Sequence, residues 1–409
     1  MSRINDLIKE LCPSGVEYKK VWEVTTWDKK YNSVDKSMQP DIKKYNYLLA
    51  NQLNEIVDPD GDVLILETGI NGEKKYTNID LAGDNLCDAE IIAIPWGGTP
   101  NVKYYKGKFV TGDNRIAISN DTKLLDTKFL YYIFENRINE IADFYRGSGI
   151  KHPEMKKILL MNIPIPPLEV QEEIVRIFDK FGELEAELEA ELEARKSQYE
   201  FWRGKLFESG KGNRYNFMDI CDDIFLGLTS KVDYVENDGI PLIRAGNMTS
   251  GRLNFDEAKC ISKKQFDSLT KYHKPKKGDI LLSKSGTLGA VCIVDTDKDF
   301  GIYESLICIH PKKEIYNRFL YHLLQTKKVQ QDLIGKRTGS AILHINLQSF
   351  RNINIIVPNL DEQIRIANIL DKFDALVNDI TKGIPAEIEL RKQQYEYYRN
   401  KLLSFKKIK

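Results

Sequence analysis

Apolar positions recur along this chain in two alternating styles. Between residues 1 and 161 they form short runs, or alternate with polar residues, between clusters of Gly, Asn and Asp: YNYLLANQ, DVLILETG, EIIAIPW and NRIAIS. A period near two, bounded by turn formers, predicts strands. The stretch TKFLYYIFENRINEIADF, 127 to 144, has a helical period instead. From Glu169 the helical style takes over. Leu184, Leu188 and Leu192 share a face, and Tyr199, Trp202 and Leu206 continue it, which predicts helix to Phe207. Unbroken, that helix would run about 58 Å at roughly 1.5 Å per residue.

The same programme then runs again. PLIRAGN stands where YNYLLAN stood, GDILLSKSGTLGAV where AEIIAIPWGGTPNV stood, and NRFLYHLLQTKKVQQDL mirrors the helix at 127 to 144. RTGSAILH answers RGSGIKH, so His152 and His344 fall in register, and both are read as structural. The closing stretch is helical, with Gly383 and Pro385 marking a break. Ile384, Ile388, Tyr395, Tyr398 and Leu402 then keep a four-three stride. Two phrases make the repetition explicit. NIPIPPLEVQEEIVRIFDKF from Asn162 answers NIIVPNLDEQIRIANILDKF from Asn354, and RKSQYEFWRGKLF from Arg195 answers RKQQYEYYRNKLL from Arg391. The chain therefore reads as one half-unit built twice.

Four blocks follow: a mixed domain at 1–161 that includes an N-terminal arm, a helical spacer at 162–210, a second mixed domain at 211–353, and a helical region at 354–409. The arm residues Leu11, Ser14, Gly15 and Tyr18 lead into the first domain much as Leu206, Ser209, Gly210 and Tyr215 lead into the second. The arm thus resembles what should follow the C-terminal helix. The expected fold is α+β: two mixed α/β domains joined by two long antiparallel helices, pseudo-two-fold and closed into a circle.

Composition narrows the function. With 42% hydrophobic and 10% aromatic residues the chain is not disordered. No apolar run is long enough to span a bilayer, and MSRINDLIKELCPSG lacks the apolar centre of a signal peptide. Six cysteines are scattered without a CxxC pair. A reduced, cytoplasmic protein without membrane contact or structural metal is expected. Net charge is zero, yet unevenly spread: residues 162–210 hold 6 Lys or Arg against 12 Asp or Glu, and residues 211–354 hold 22 against 16. An acidic spacer balances a basic domain, and a basic domain favours nucleic acid.

The LCPSGVEYKK opening, both PxLxxQxxI…FDKF/LDKF phrases, both RKxQYExxRxKL phrases and GDILLSKSGTLG resemble the specificity (S) subunits of type I restriction-modification enzymes. The resemblance covers essentially the whole chain, in the order target-recognition domain, conserved helix, target-recognition domain, conserved helix. It implies a non-catalytic reader of double-stranded DNA with a split, asymmetric target. It also implies docking of two methyltransferase subunits and two restriction/translocase subunits, with N6-methyladenine as the modification product. S-adenosylmethionine, ATP and Mg²⁺ would then belong to the partners, with no cofactor in this chain.

The residues carry compatible chemistry. No DPPY, NPPF or FxGxG motif is present for methyl transfer. SKSGTLG has neither Walker spacing nor a dinucleotide fingerprint, and Gly335-Lys336-Arg337 lacks the upstream Gly of a P-loop. Loop residues with forked or small polar side chains are the candidate DNA contacts: Trp96, Thr99, Asn101, Lys103, Arg146, Ser148 and Lys151 in the first domain, and Arg244, Asn247, Lys284, Ser285, Thr287, Lys336, Arg337 and Ser340 in the second. Arg grips guanine and Asn adenine in bidentate fashion, while Lys and Ser mostly hold phosphate. Tyr199, Trp202, Tyr395 and Tyr398 read as seam core, some of them docking the methyltransferase. ELEAELEAELEA, 183 to 194, is a solvated acidic helix with a leucine stripe and also reads as a ruler. Each unit adds about 6 Å and about 40° of rotation, and one base pair advances about 3.4 Å and about 35°. Two rivals stay open: a type II-like endonuclease using Asp60, Glu73 and Lys75, which match a loose PD…ExK signature, and a scaffold whose repeat serves assembly alone.

Overall fold

The computed structural model describes residues 2–408 other than 71, 209–211, 237, 250, 272, 335–344, 346, 351 and 352. Five helices form its framework: α1 (Thr127–Asn136), α2 (Leu168–Glu208), α3 (Asn317–Leu324), α4 (Leu360–Asn378) and α5 (Ile384–Leu402). Packing divides the chain into two units. Unit 1 is Met1–Glu185 with Arg391–Lys409, and unit 2 is Ala186–Leu390. Each unit therefore takes one helix segment from each of the two conserved helical regions. No helix among the described residues is long and apolar enough to cross a membrane.

Unit 1 is built on a six-stranded sheet in the order Thr25–Trp27, Asn114–Ser119, Cys87–Pro95, Lys103–Thr111, Val63–Leu66, Lys75–Thr77. Neighbours are antiparallel except the parallel pair Lys103–Thr111 and Val63–Leu66. Alternation assigns the two faces. Ile92, Ile94 and Ala117 pack with Phe129, Leu130 and Ile133 of α1, whereas Ile91, Ala93 and Ile116 pack with Leu64, Leu66 and Phe109. The segments DVLILETG, EIIAIPW and NRIAIS form strands as expected, but YNYLLANQ does not. Its Leu49 begins a short helix, Ala50–Glu55, because Gln52 Oε1 accepts the Leu49 N–H at 2.8 Å. The helix expected at 127–144 is interrupted at Arg137 and resumes as Ile138–Ala142.

Unit 2 repeats the first four strands and then departs. Cys221–Leu226, Leu306–Pro311, Ile280–Ser283 and Val291–Ile293 form an antiparallel sheet with the same neighbour order as the first four strands of unit 1. Where unit 1 extends its sheet by two strands, unit 2 closes a separate one: Tyr234–Val235, Lys259–Ile261, Ile240–Ile243, Gly301–Ile302. Helix α3 covers one face of the first sheet through Phe319, Leu320, Leu323 and Leu324, against Ile280, Leu282, Ile307 and Ile309.

The repeated phrases hold the two units in the same manner. Glu17–Lys20 pairs with Asn162–Ile165 in the register by which Asn213–Asn216 pairs with Asn354–Val357. The next N–H repeats too, Val21 to Met161 O at 3.0 Å and Phe217 to Ile353 O at 2.9 Å. This register makes Tyr215 the equivalent of Lys19 rather than of Tyr18, one residue from the match that sequence similarity suggests. Gln171 is fully buried. Its Nε2 donates to Leu124 O and Pro166 O, both at 2.8 Å, and its Oε1 accepts the Asp126 N–H at 2.9 Å, just before α1. Gln363 does the same before α3, donating to Glu314 O (3.1 Å) and Pro358 O (3.0 Å) and accepting from Tyr316 N–H (2.8 Å). The Gln that recurs in both PxLxxQ phrases is thus a brace between a repeated helix and the domain it carries.

The Asp of FDKF and LDKF is the second brace. Asp179 accepts from Lys128 Nζ at 2.7 Å and from Tyr132 OH at 2.6 Å. Asp371 accepts from Arg318 Nε at 2.8 Å and from His322 Nε2 at 2.7 Å. The terminal Phe meets the Tyr of the RKxQYE phrase in both units, Phe181 with Tyr395 at 5.9 Å and Phe373 with Tyr199 at 6.1 Å between ring centroids. Within unit 1, α2 and α5 run antiparallel along this seam, and Lys392 reaches Glu185 at 3.3 Å. The arm and the C-terminal segment also join inside unit 1: Val16 N–H to Lys406 O at 2.8 Å, Ile408 N–H to Val16 O at 3.0 Å, Tyr18 OH to Phe405 O at 2.8 Å. Gly15, at φ +105°, lies so close to Lys406 O that a Cβ there would sit 2.3 Å away.

Candidate nucleic-acid interface

Three loops of unit 1 converge beside the end of the strand Cys87–Pro95: residues 67–70, 96–101 and 146–152. The last is the tip of a hairpin pairing Tyr145–Arg146 with His152–Pro153. Gly98 N–H donates to Lys151 O at 3.1 Å, and Tyr145 OH donates to Pro95 O at 2.9 Å. Asn101 ties the second loop to the first, its Nδ2 donating to Thr68 O and Thr99 O at 3.0 Å each. Thr68, Gly69, Ile70, Gly97, Gly98 and Thr99 line a cleft of about 350 Å³ between these loops.

The candidate contacts in this unit separate by environment. Thr99, Arg146, Ser148 and Lys151 are exposed on the converging loops. Arg146 pairs with Glu154 at 3.1 Å. Asn101 is buried with its amide nitrogen engaged, which joins the loops around it. Lys103 is half-buried and donates to Glu67 O at 2.6 Å. Burial pushes its ammonium down to about 8, against the opposing attraction of Glu67. Trp96 is packed around its ring, with Lys29 Nζ at 5.2 Å, the Arg115 guanidinium at 4.6 Å and the His152 ring at 5.2 Å. His152, itself exposed, places its Nδ1 2.7 Å from Trp96 O.

Unit 2 gathers the corresponding loops. Lys284 N–H donates to Ser305 O at 2.8 Å, as Trp96 N–H donates to Asp113 O at 2.9 Å. Trp96 and Lys284 therefore hold the same backbone position. Lys284, Ser285 and Thr287 ride on a turn shaped by Gly286 (φ +79°) and Gly289 (φ +81°), with Thr287 exposed. Arg244 stands between two aromatic rings, 4.7 Å from Tyr303 and 5.4 Å from Tyr234, and bonds the Tyr234 hydroxyl. Asn247 is engaged internally, its Oδ1 accepting the Arg244 N–H at 3.0 Å. Ala245 N–H reaches Ser305 Oγ at 3.1 Å, tying the Arg244 loop to the Lys284 turn. Lys336, Arg337, Ser340 and His344 lie outside the described residues. Lys29, Tyr234, Tyr303 and Ser305 stand beside these residues without being recognisable in the sequence. No local motif marks them, since their significance comes from residues far along the chain.

The aromatic seam residues also divide. Tyr199 is only 4% exposed and its hydroxyl donates to His322 Nδ1 at 3.1 Å, so its ring lies within the seam. Tyr395 is held by Glu135 at 2.7 Å and by Phe178 and Phe181, and Tyr398 packs on Phe181. Trp202 is 43% exposed beside the 57% exposed Phe201, and of the four it alone presents substantial aromatic surface.

The PD…ExK residues do not form a nuclease site. Asp60 lies in an exposed turn whose N–H caps Asp58 Oδ1 at 3.1 Å, and Lys75 Nζ pairs with Glu67 at 2.8 Å. Among the described residues no group of three His, Cys, Asp or Glu could hold a metal ion, and such chemistry needs its ligands to converge. The six thiols are unpaired.

Two sheet-and-helix heads, each presenting polar loops beside one sheet and each tied to the repeated helical phrases, make a duplicated scaffold for variable loops. The family model described as the type I restriction modification DNA specificity domain matches residues 13–194 and 219–390. A putative type I restriction enzyme specificity subunit of Haemophilus influenzae is 32% identical over 340 residues, covering 78% of this chain and 83% of its own length. The EcoR124I/EcoR124II specificity subunit of Escherichia coli is 33% identical over 303 residues, covering 71% and 74%. The crystal structure of the S subunit from M. genitalium matches in fold with a TM-score of 0.57, covering 95% of this chain and 96% of that one at 16% identity. The chain belongs to the specificity subunits of type I restriction-modification systems, the non-catalytic DNA-recognition components.

Proposed function

We propose that this chain reads a bipartite, asymmetric target in double-stranded DNA, one half-site per unit, and carries methyltransferase subunits to it for adenine N6 methylation. The observation that carries the reading is the repeat itself: braces at Gln171 and Gln363, and at Asp179 and Asp371, hold two different sets of loops on one kind of frame. Different loops on equivalent frames read different bases, and equivalent frames take equivalent partners. Two methyltransferase subunits, and two restriction/translocase subunits for cleavage, fit that duplication. S-adenosylmethionine, ATP and Mg²⁺ belong to those partners in this reading. Phosphate contacts from lysines set register, and base-edge contacts supply about 1–3 kcal/mol against each mismatched pair. Exposed Trp202 and Phe201 are the aromatic anchors expected in a docking patch.

Long-read mapping of N6-methyladenine in the native genome tests the reading. It should return a split, non-palindromic motif with one modified adenine on each strand. An unsplit or palindromic motif would overturn it. Deleting one ELEA unit should then change the unread gap between the half-sites, about one base pair by rotation matching, and leave both half-sites intact. An unchanged gap removes the ruler while leaving the bipartite reading standing.

A further inference from the structure

Beneath the reading loops of unit 1 lies a buried cation that recognition has not so far required. Arg115, on the strand Asn114–Ser119, is only 2% exposed. One guanidinium nitrogen donates to Asp28 Oδ2 and to Asn114 O, each at 3.0 Å, and another pairs with Asp113. Asp28 is fixed in turn, its Oδ1 accepting Tyr31 OH at 3.0 Å and Ile116 N–H at 3.2 Å. The Arg115 guanidinium lies 4.6 Å from the centre of the Trp96 ring, and its Nε is buried without a partner.

Trp96 is where two loops meet. Its carbonyl accepts from His152 Nδ1 at 2.7 Å, and the next loop bond runs from Gly98 N–H to Lys151 O at 3.1 Å. The approach is tight: a Cβ on Gly97 would sit 2.8 Å from Ile150 and 3.2 Å from His152. We infer that Arg115 is a positioning residue for DNA reading by unit 1, acting through Trp96 and His152 to hold the 96–101 and 146–152 loops in one geometry. The inference rests on the proposed assignment of a half-site to unit 1.

A buried ion pair is a poor source of stability, because desolvation consumes most of the Coulomb attraction and a well-packed apolar pair does as well. What Arg115 and Asp28 add is orientation. A guanidinium over an indole face has a preferred stacked geometry, and Asp28 is pinned from two sides. The distinction matters for recognition. Hydrogen bonds to base edges weaken steeply with small displacements, and a site must be held within about 0.5 Å to discriminate. Lysine contacts to phosphate tolerate such shifts. Loosening Trp96 should therefore erode discrimination more than overall binding, and only at the half-site read by unit 1.

The test uses the full chain with its methyltransferase subunits and three duplexes: the mapped target, and one single-base mismatch in each half-site. The measured quantity is the ratio of rates on target and mismatch. In Arg115→Lys and Asp28→Asn this ratio should fall about tenfold or more at one half-site and hold at the other, with Arg115→Lys the milder. His152→Ala, an exposed residue on the hairpin that does not threaten folding, should lower the same ratio. Unchanged ratios with a reduced melting temperature or active fraction would show an ordinary structural residue and overturn the inference, as would equal loss at both half-sites. If the unmodified chain discriminates at neither half-site, the assignment of half-sites to units falls, and this inference with it.

Discussion

Asp179 and Asp371 occupy one place in two units and are held by different chemistry. In unit 1 the carboxylate is met by a lysine and a tyrosine, Lys128 and Tyr132, and in unit 2 by an arginine and a histidine, Arg318 and His322. The donors come from the same two helical positions in α1 and α3. What is kept between the units is the brace, and what varies is the residue that makes it. The same contrast runs outward. Near the helices the units share register, the Gln brace and the Phe–Tyr seam. At the loops they share one backbone bond, at Trp96 and Lys284, and little else. Under the proposed function, a frame that meets the same partner twice is constrained, whereas loops that read different bases are free to diverge.

Removing the Gln brace should produce the largest effect. Gln171→Leu or Gln363→Leu leaves two carbonyls and one N–H without partners in or near the core. Each unsatisfied buried group costs about 1–3 kcal/mol, so a loss of at least about 3 kcal/mol is expected from the three. Hydrogen exchange followed by mass spectrometry locates it: Gln171→Leu should deprotect α1 and spare α3, and Gln363→Leu should do the reverse. Equal deprotection of both helices by either variant would mean that the two units do not behave as separate frames.

A smaller effect sharpens the difference at the Asp brace. His322 is fully buried, and burial lowers its proton affinity, against the pull of Asp371. Burial alone would raise Asp371, but hydrogen bonds from His322 and Arg318 hold it below its ordinary value. Below pH about 6.5 an unfolded histidine takes a proton while His322 does not. The unfolded state then binds more protons, and unit 2 loses stability as pH falls, by up to about 1.4 kcal/mol per pH unit until His322 itself titrates. Tyr132 gives unit 1 no such liability. Exchange protection of α3, corrected for intrinsic rates, should drop from pH 7 to pH 5 while that of α1 does not. His322→Tyr, which installs the residue of unit 1, should abolish the drop. A drop that persists in the variant would place the acid sensitivity elsewhere.

The frame was legible in the sequence and the reading surface was not, for a physical reason. Gln171, Asp179, Phe181 and Tyr395 recur as phrases because each makes defined contacts to neighbouring elements that both units share, so the same residue type is needed twice. The residues that build the loop cluster of unit 1, Asp28, Trp96, Arg115 and His152, are far apart along the chain and converge only through the sheet. Nothing local marks them as a set. Asn101 and Asn247 have the right chemistry for adenine, and the structure also gives each a bond within its own loops. YNYLLANQ has a strand's alternation, and a single side-chain cap at Gln52 turns it into a helix start.

The central claim is that one frame carries two independent readers. Exchanging residues 211–353 for the corresponding segment of another family member, followed by N6-methyladenine mapping, tests it most directly. The account predicts a new motif in which one half changes and the other is retained base for base. An unaltered motif, or one altered in both halves, would contradict it.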